Sequence, residues 1–211
     1  MRYERKYRIE GVHINVILQN LLMHPTGLYK LYPDRQINNI YFDTPSLTTY
    51  KENVMGLAHR DKYRVRWYGW NPLEIHNPQL EIKHRRNNVG TKTICQVAPF
   101  SFDNLRPLVH EVNQKSGTYA LLQPALQNSY KRAYFSTKDQ KFRITLDWDL
   151  RYASMRTTRQ FRRHQHQDYN VHILEIKYEQ EIEQEADRIT QFLPYKSTKN
   201  SKYVTGIELC W

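Results

Sequence analysis

Residues 60–67 read RDKYRVRW, so a cationic residue alternates with a residue of another kind along the whole segment. Alternation with a period of two is typical of a β-strand, because successive side chains point to opposite faces of the sheet. We therefore predict a strand with one face that carries only cations, namely Arg60, Lys62, Arg64 and Arg66.

Four more segments alternate in the same way and are predicted strands, at residues 3–9, 80–85, 141–148 and 174–178. Each has one apolar face and one face with at least one lysine or arginine. Apolar residues at helical spacing predict three helices, at residues 12–23, 103–115 and 179–193. Many strands with few helices indicate the α+β class, with an antiparallel sheet or barrel in a single domain over residues 1–211.

The chain of 211 residues is strongly basic, with 32 Lys+Arg against 21 Asp+Glu, a formal net charge of +11 and a pI near 9.6. Such a charge indicates a polyanionic partner: nucleic acid, anionic lipid, a nucleotide or polyphosphate. The 16 Tyr, 7 Phe and 4 Trp exclude a disordered basic tail, because these side chains bury enough area to offset the entropy of the chain.

The sequence lacks the motifs that are typical of several protein classes. With 7 glycines and neither a GxxxxGK nor a GxGxxG motif, the chain is not expected to be a P-loop, Rossmann or protein-kinase fold. Cys95 and Cys210 lie far apart without ligand spacing, which predicts reduced thiols in a cytoplasmic protein. There is no signal-peptide core and no long apolar run, so membrane insertion is not expected.

The charged strand faces have two interpretations. An antiparallel sheet with one solvated face alternates in any case, but solvated faces usually mix the signs of their charges. Four like charges on one strand face repel each other, and an anion would neutralise them. In a closed sheet such faces would point inward, where arginine and lysine bind phosphate oxygens.

Carboxylates interrupt these basic faces at Glu4, Glu81 and Glu175. They suit Mg²⁺ or Mn²⁺, which take carboxylate and phosphate oxygens together. The alternative for each is an ion pair with the lysine two residues further on.

Eight short motifs follow one another along nearly the whole chain. They are ERKY (4–7), NIYFDTPSLTTY (39–50), KYRVRWYG (62–69), LEIK (80–83), YKR (130–132), RITLD (143–147), LEIK (174–177) and KNSKY (199–203). As an ordered set they resemble the VTC domain, the catalytic domain of polyphosphate polymerases in the CYTH/triphosphate tunnel metalloenzyme superfamily.

The resemblance implies an antiparallel β-tunnel that transfers the γ-phosphoryl group of ATP to a growing inorganic polyphosphate chain and releases ADP, with Mn²⁺ or Mg²⁺. The catalytic phosphate contacts that it implies are Lys6, Arg64, Arg66, Lys83, Arg132, Arg143 and Lys202. The substrate-binding residues are Arg60, Lys62, Arg85, Lys199 and Ser201, with the last two in a loop before a final strand. Glu175 and Glu4 would hold the metal.

One departure from the superfamily bears on the activity. The opening ExExK motif of the superfamily reads Arg2-Tyr-Glu4-Arg-Lys6 here, which disfavours a triphosphatase whose metal site needs the first glutamate. A tunnel triphosphatase acting on ATP or another triphosphate is still the first alternative. A non-catalytic polyphosphate-binding module is the second, and carboxylates among the cations make nucleic acid the less favoured partner.

Other conspicuous residues are predicted to be structural. We expect Trp67, Trp70, Tyr41 and Phe42 to pack against the sheet, and Asp43-Thr-Pro45 to form a turn after a strand. We do not expect a metal site at His164, His166 and His172, which lie near a basic segment.

Overall fold

The computed structural model describes residues 2–71, 73–87, 89–156 and 165–210, without the side chain of Arg2. The strands are β1 (Arg2–Glu10), β2 (Tyr29–Asp43), β3 (His59–Tyr68), β4 (Gln79–Arg86), β5 (Val89–Gln96), β6 (Gln123–Ser136), β7 (Arg143–Ser154), β8 (Gln165–Asp168) and β9 (Val171–Glu179). The helices are α1 (Ile14–Leu22), α2 (Thr48–Val54), α3 (Arg106–Lys115), α4 (Asp187–Thr190) and α5 (Lys202–Leu209). A 3₁₀ helix spans Gln180–Glu185.

The α+β class with an antiparallel sheet is confirmed. Neighbouring strands follow the order β1-β9-β7-β6-β2-β3-β4-β5, with β8 beside β7. The pairs β1–β9, β2–β3, β3–β4, β4–β5 and β7–β9 are antiparallel. Among the described residues this order is open, since β1 and β5 each pair with a single strand.

Contacts divide the chain into two compact units. Unit 1 comprises the chain up to Arg35, Tyr130–Leu150 and Gln167–Asn200. Its core lies where α1 and the apolar faces of β1, β7 and β9 meet, with Ile17, Leu146, Leu174 and Ile176 at most 1% exposed.

Unit 2 comprises Gln36–Ser129, Arg151–His166 and the chain from Ser201 onward, as far as these are described. Its core packs α3 against β2, β3 and β4 through Trp67, Val65, Leu80 and Val112, all fully buried. The rings of Phe100 and Phe102 pack against Trp67, at centroid distances of 5.5 and 6.0 Å.

All five strands that alternation predicts are present, although β7 begins at Arg143 and not at residue 141. The helices predicted at 12–23 and 103–115 are found as α1 and α3. Tyr41, Phe42 and Trp67 are buried as expected. Trp70 is 63% exposed, so its predicted packing is wrong. The cause is Gly69, whose φ of +143° turns the chain away after β3 ends.

The helix predicted over 179–193 is also wrong, because the segment breaks into the 3₁₀ helix and α4. Ile182 at the break has φ −107° and ψ 19°. Within unit 1, Arg5 on β1 donates to Glu183 at 2.7 Å, and this contact fixes the acidic segment against the sheet. A long-range ion pair here overrides the local helical periodicity.

The predicted final strand is wrong, because residues 202–209 form the helix α5. Ser201 caps α5, since its Oγ accepts a hydrogen bond from the Val204 amide at 3.5 Å, and Lys202 is the first helical residue. Asp43 ends β2, and the predicted turn follows it and leads into α2.

The structure describes two of these three histidines and both cysteines. His164 lies outside the described residues, His166 lies in β8, and buried His172 bonds through Nε2 to the Val12 carbonyl at 3.0 Å. Cys95 and Cys210 are free thiols. In the described part of the chain, no helix is long and apolar enough to cross a membrane.

Candidate functional site

In unit 2, three neighbouring strands present one face on which cations predominate. Residues directly opposite each other in the β3–β4–β5 register share this face. We call it the cationic face, and its charged members are Arg60, Lys62, Arg64, Arg66, Lys83, Arg85 and Lys92, with Glu81 as the carboxylate. Six of these seven cations, all except Lys92, were predicted from the sequence as site residues.

Like charges stand directly opposite each other on this face. Arg60 pairs in register with Arg85, and Lys62 pairs with Lys83, which in turn pairs with Lys92. Directly opposed like charges destabilise a sheet. Burial and then the charge of Arg85 lower the pKa of Arg60 below its ordinary value. An anion bound over this face would relieve the repulsion.

Glu81 is the counter-charge at the centre of the cationic face. It is 3% exposed and accepts a hydrogen bond from Arg64 Nε at 2.7 Å, while Lys92 Nζ lies 3.2 Å from its other oxygen. Arg66 NH1 lies 3.8 Å away. Although burial alone would raise it, the charges of Arg64 and Arg66 hold the pKa of Glu81 far below its ordinary value. Glu81 thus forms ion pairs with Arg64, Arg66 and Lys92.

Side chains of β2 hold the two arginines from the neighbouring strand. Arg66 Nε donates to Asn39 Oδ1 at 2.8 Å, and Arg64 NH1 lies 3.4 Å from the Tyr41 hydroxyl. Asn39 Nδ2 in turn donates to Asn128 Oδ1 on β6 at 2.7 Å. Each planar guanidinium is thereby oriented before any ligand arrives.

The start of α5 lies beside the same face. Lys62 Nζ donates to Ser201 Oγ at 3.2 Å, which joins two predicted substrate-binding residues. Asp43, fully buried, accepts hydrogen bonds from the amides of α2 and from the Tyr203 hydroxyl. The Tyr203 ring stacks on Tyr41 with centroids 5.0 Å apart. These contacts fix the helix that carries Ser201 and Lys202.

In unit 1, two carboxylates and two ammonium groups alternate across β1 and β9. Glu4 is opposite Lys177 and Lys6 is opposite Glu175 in the register. Lys6 Nζ lies 3.6 Å from Glu4 and 3.7 Å from Glu175. Lys177 Nζ lies 3.4 Å from Glu4 and 3.2 Å from Glu175. The ion pairs with the lysine two residues further on are therefore present for both glutamates.

Four further residues of β6 and β7 lie in unit 1. Arg132, 9% exposed, makes a two-pronged ion pair with fully buried Asp147, with Nε–Oδ1 at 2.5 Å and NH2–Oδ2 at 2.7 Å. Although burial lowers it, the charge of Asp147 raises the pKa of Arg132 well above its ordinary value. Arg143 is exposed and lies opposite Lys177. Thr145, opposite Glu175, has a buried hydroxyl without a hydrogen-bond partner among the described residues.

The segment with Lys199 is attached to the edge of β1 in unit 1. The Thr198 amide donates to the Lys6 carbonyl at 2.7 Å, and Lys6 Nζ donates to the Asn200 carbonyl at 3.3 Å. The Lys199 side chain is exposed. A predicted catalytic lysine and a predicted substrate-binding lysine thus belong to one hydrogen-bonded edge.

The donor set of unit 1 fits a divalent cation that shares its coordination with phosphate. Glu4 and Glu175 approach the same two ammonium groups, so their carboxylates converge, and the orphaned Thr145 hydroxyl is next to Glu175 in the register. Mg²⁺ usually takes one or two carboxylates and completes its shell with phosphate and water. Within the described residues, no group of three or more His, Cys, Asp or Glu is placed to hold a metal by protein ligands alone.

Sequence reasoning missed Lys92, Asn39 and Asn128. β5 carries a single cation between threonines, so its alternation shows no charge pattern. Asparagines in strands have no distinctive spacing, and their role becomes visible only when three strands are brought together.

The comparisons with known proteins agree with this architecture. The family model described as the VTC domain matches residues 1–211. Among solved structures, the chain is similar to a putative adenylate cyclase from Vibrio parahaemolyticus, with a TM-score of 0.55 and 12% identity over 96% of this chain and 97% of that one. It is also similar to a protein from Pyrococcus horikoshii OT3, with a TM-score of 0.55 and 11% identity over 96% of this chain and 95% of that one.

A third similar structure is a putative adenylyl cyclase from Hippeastrum described as having a dominant triphosphatase activity. Its TM-score is 0.52, with 14% identity over 98% of this chain and 96% of that one. At these identities the likeness shows a common fold. No curated protein matches the chain.

Proposed function

Because the chain belongs to the VTC domain family, we propose that it is a polyphosphate polymerase, which transfers the γ-phosphoryl group of ATP to the end of an inorganic polyphosphate chain and releases ADP. The family match over the entire length is the observation that carries this proposal. The cation pattern in both units supports it independently, because phosphate chains are the ligands that such patterns suit.

The cationic face of unit 2 supports the binding of phosphate. Arg64 and Arg66 are oriented by Glu81, Tyr41 and Asn39, so their donors are fixed in direction. The opposed pairs of like charges are stabilised when an anion is bound. Lys83, Arg85 and Arg60 extend the same face, and Ser201 with Lys202 lies at the start of α5.

The cluster of unit 1 supports a role for a divalent cation. Glu175 and Glu4 would hold Mn²⁺ or Mg²⁺, with Lys6 and Lys177 moving from the carboxylates to phosphate oxygens. The cation, when bound, would neutralise charge on the phosphates. Arg132 and Arg143 supply further positive charge on β6 and β7.

The reaction needs no general base. An oxygen of the terminal phosphate of the acceptor is already anionic and forms a bond to the γ-phosphorus, while the bond from that phosphorus to the β–γ bridging oxygen breaks and its electron pair leaves with ADP. The transition state is loose and its charge spreads over the equatorial oxygens, so positioning and electrostatic stabilisation dominate. Oriented arginines provide both.

A triphosphatase is the second candidate function, favoured by the activity described for the similar Hippeastrum protein. Water would replace the acceptor phosphate at the same phosphorus atom. Products separate the two reactions, because a hydrolase releases free phosphate and forms no polymer.

The test incubates purified protein with ATP and Mn²⁺ and resolves polymer on gels, and ADP and phosphate by chromatography. We expect polymer and ADP, and loss of both by at least about 100-fold in Arg64→Ala/Arg66→Ala and in Glu175→Gln. Arg86→Ala, on the opposite face of β4, and Glu10→Gln, at the exposed end of β1, are matched controls that should keep activity.

Each other outcome has a definite meaning. Release of free phosphate without polymer would show that the protein is a triphosphatase and not a polymerase. No turnover, together with binding of polyphosphate that Glu175→Gln leaves intact, would make the protein a binding module. Equal losses in the matched controls would contradict the assignment of the site residues.

A further inference from the structure

A chain of hydrogen bonds in unit 2 leads from Arg66 to a donor that the charge pattern does not explain. A guanidinium group can only donate, so the Asn39 oxygen must face Arg66, at 2.8 Å. Asn39 therefore presents its amide nitrogen to Asn128, at 2.7 Å, and must meet an oxygen there. This leaves Asn128 with its own amide nitrogen, a donor, pointing elsewhere. The contact with Arg66 therefore fixes which position of each side-chain amide is the oxygen and which is the nitrogen.

The Asn128 donor is buried and has no partner in the part of the chain that the structure describes. Asn128 is 2% exposed, and its Nδ2 makes no hydrogen bond with the described residues. A buried donor without an acceptor is costly, and native proteins rarely keep one without a reason. Arg66, two hydrogen bonds away, is similarly enclosed at 7% exposure. Asn128 therefore belongs to the same hydrogen-bonded network as an arginine proposed to bind phosphate.

We propose that Asn128 is a phosphate-binding residue, whose Nδ2 donates to an oxygen of the polyanion bound beside Arg66, with Asn39 as the positioning residue between them. This inference rests on the proposed function only in so far as the ligand is a phosphate chain. The unpaired donor then finds its acceptor in the bound state.

A neutral donor suits this position for an electrostatic reason. The cationic face already opposes like charges at Arg60–Arg85 and Lys62–Lys83–Lys92, so a further cation would add repulsion in the free protein. An amide adds a hydrogen bond to a phosphate oxygen without adding charge. Every non-protonated phosphate oxygen can accept this hydrogen bond.

The experiment measures binding of tripolyphosphate by isothermal titration calorimetry at fixed ionic strength. Asn128→Asp keeps an acceptor for Asn39 and removes the donor, whereas Asn128→Leu removes donor and acceptor without adding charge. We expect the Kd to rise about tenfold or more in both variants, as for loss of a hydrogen bond to a charged group. Asn38→Asp and Asn38→Leu are the matched controls, because Asn38 is equally buried but lies on the opposite face of β2. Their Kd should stay within about twofold of wild type.

Three results would overturn the proposal. Normal binding by Asn128→Asp would leave Asn128 only as an acceptor for Asn39. Weak binding by Asn128→Asp with normal binding by Asn128→Leu would show that the added negative charge weakens binding, and not the loss of the donor. Equal losses in the Asn38 variants would make it a general effect of buried substitutions.

Circular dichroism confirms that each variant is folded before titration, and Asn128→Ala replaces either variant that is not, with the same expected loss. Wild-type protein that does not bind tripolyphosphate would overturn both this inference and the proposed function. Wild-type protein that binds it without making polymer would overturn the polymerase alone and leave the inference standing.

Discussion

Glu81 lies directly opposite Arg64 in the β3–β4 register and accepts its Nε hydrogen bond at 2.7 Å. Around this pair, the cationic face brings Arg66 and Lys92 within 4 Å of the same carboxylate. One buried anion on β4 thus orients cations from both neighbouring strands, β3 and β5. It also leaves the face with a large excess of positive charge, which is the combination that a phosphate-binding surface needs: fixed donors and incomplete neutralisation.

Glu81→Gln is expected to lower the free energy of unfolding at pH 7 by about 3 kcal/mol, because it leaves buried cations without their counter-charge. Urea denaturation of both proteins measures this difference, and Glu10→Gln, which alters an exposed glutamate, serves as the control. A loss no larger than that of the control would contradict the role of Glu81.

The same difference should depend on pH in a defined direction. The folded protein holds the pKa of Glu81 below its ordinary value of 4.5, so the ionised carboxylate stabilises the fold above that pH and this contribution is lost as the pH falls through the folded pKa. The difference in free energy of unfolding between wild type and Glu81→Gln should be smaller at pH 3 than at pH 7 by about 2 kcal/mol. A gap that stays constant from pH 7 to pH 3 would show that Glu81 is not held ionised.

Tyr203→Phe tests the contact that fixes α5. Burial, and then the carboxylate of Asp43, raise the pKa of Tyr203 far above its ordinary value, so the phenol keeps its proton and donates to Asp43. Removing this hydroxyl should cost about 2 kcal/mol, because Asp43 is fully buried. Thermal or urea unfolding measures the loss, and Tyr119→Phe, at a fully exposed ring, should change stability by less than about 0.5 kcal/mol. Equal stability of the two variants would count against the contact.

Gly206→Ala tests how closely α5 packs. A Cβ at this position would lie 2.4 Å from Leu126 Cδ2 and 2.6 Å from Tyr152 Cδ1, nearer than atoms can approach without movement. Alanine favours a helix over glycine by about 1 kcal/mol, but overpacking costs about 1–3 kcal/mol, so we expect a net loss of about 1 kcal/mol. Gly90→Ala, whose Cβ would meet no atom nearer than 4.0 Å, should be close to neutral in the same unfolding assay. A stabilised Gly206→Ala variant would show that the packing is looser than described.

The sequence predicts those parts of the molecule whose signal is local. Alternation in residues 60–67 and 80–85 identifies β3 and β4, because successive side chains in a strand point to opposite faces of the sheet. It also identifies most of the cationic face, since residues two apart on one strand necessarily share a side.

The missed features depend on contacts between distant segments. The break at Ile182 follows from the pairing of Glu183 with Arg5, and α5 is held by the bond between Tyr203 and Asp43. The Asn39–Asn128 contact joins residues 89 positions apart. No window of sequence contains both partners of such contacts, so periodicity cannot reveal them.

Arg132 and Asp147 allow a structural role to be separated from a role in phosphate binding. Their two-pronged pair is buried, so Arg132→Met alone leaves an uncompensated carboxylate and should cost about 4 kcal/mol. Loss of activity in that single variant would therefore be ambiguous. Arg132→Met/Asp147→Asn removes both charges and should recover about 3 kcal/mol relative to the sum of the single variants, measured as a double-mutant cycle by urea denaturation.

The double variant then reports on chemistry. If Arg132 contacts phosphate as the resemblance to the VTC domain implies, the stable double variant should still fail to form polymer from ATP, because restored folding does not restore the guanidinium. Additive losses in the cycle would contradict the energetic coupling of the pair. Full activity in a folded double variant would assign Arg132 to stability alone and remove it from the phosphate contacts.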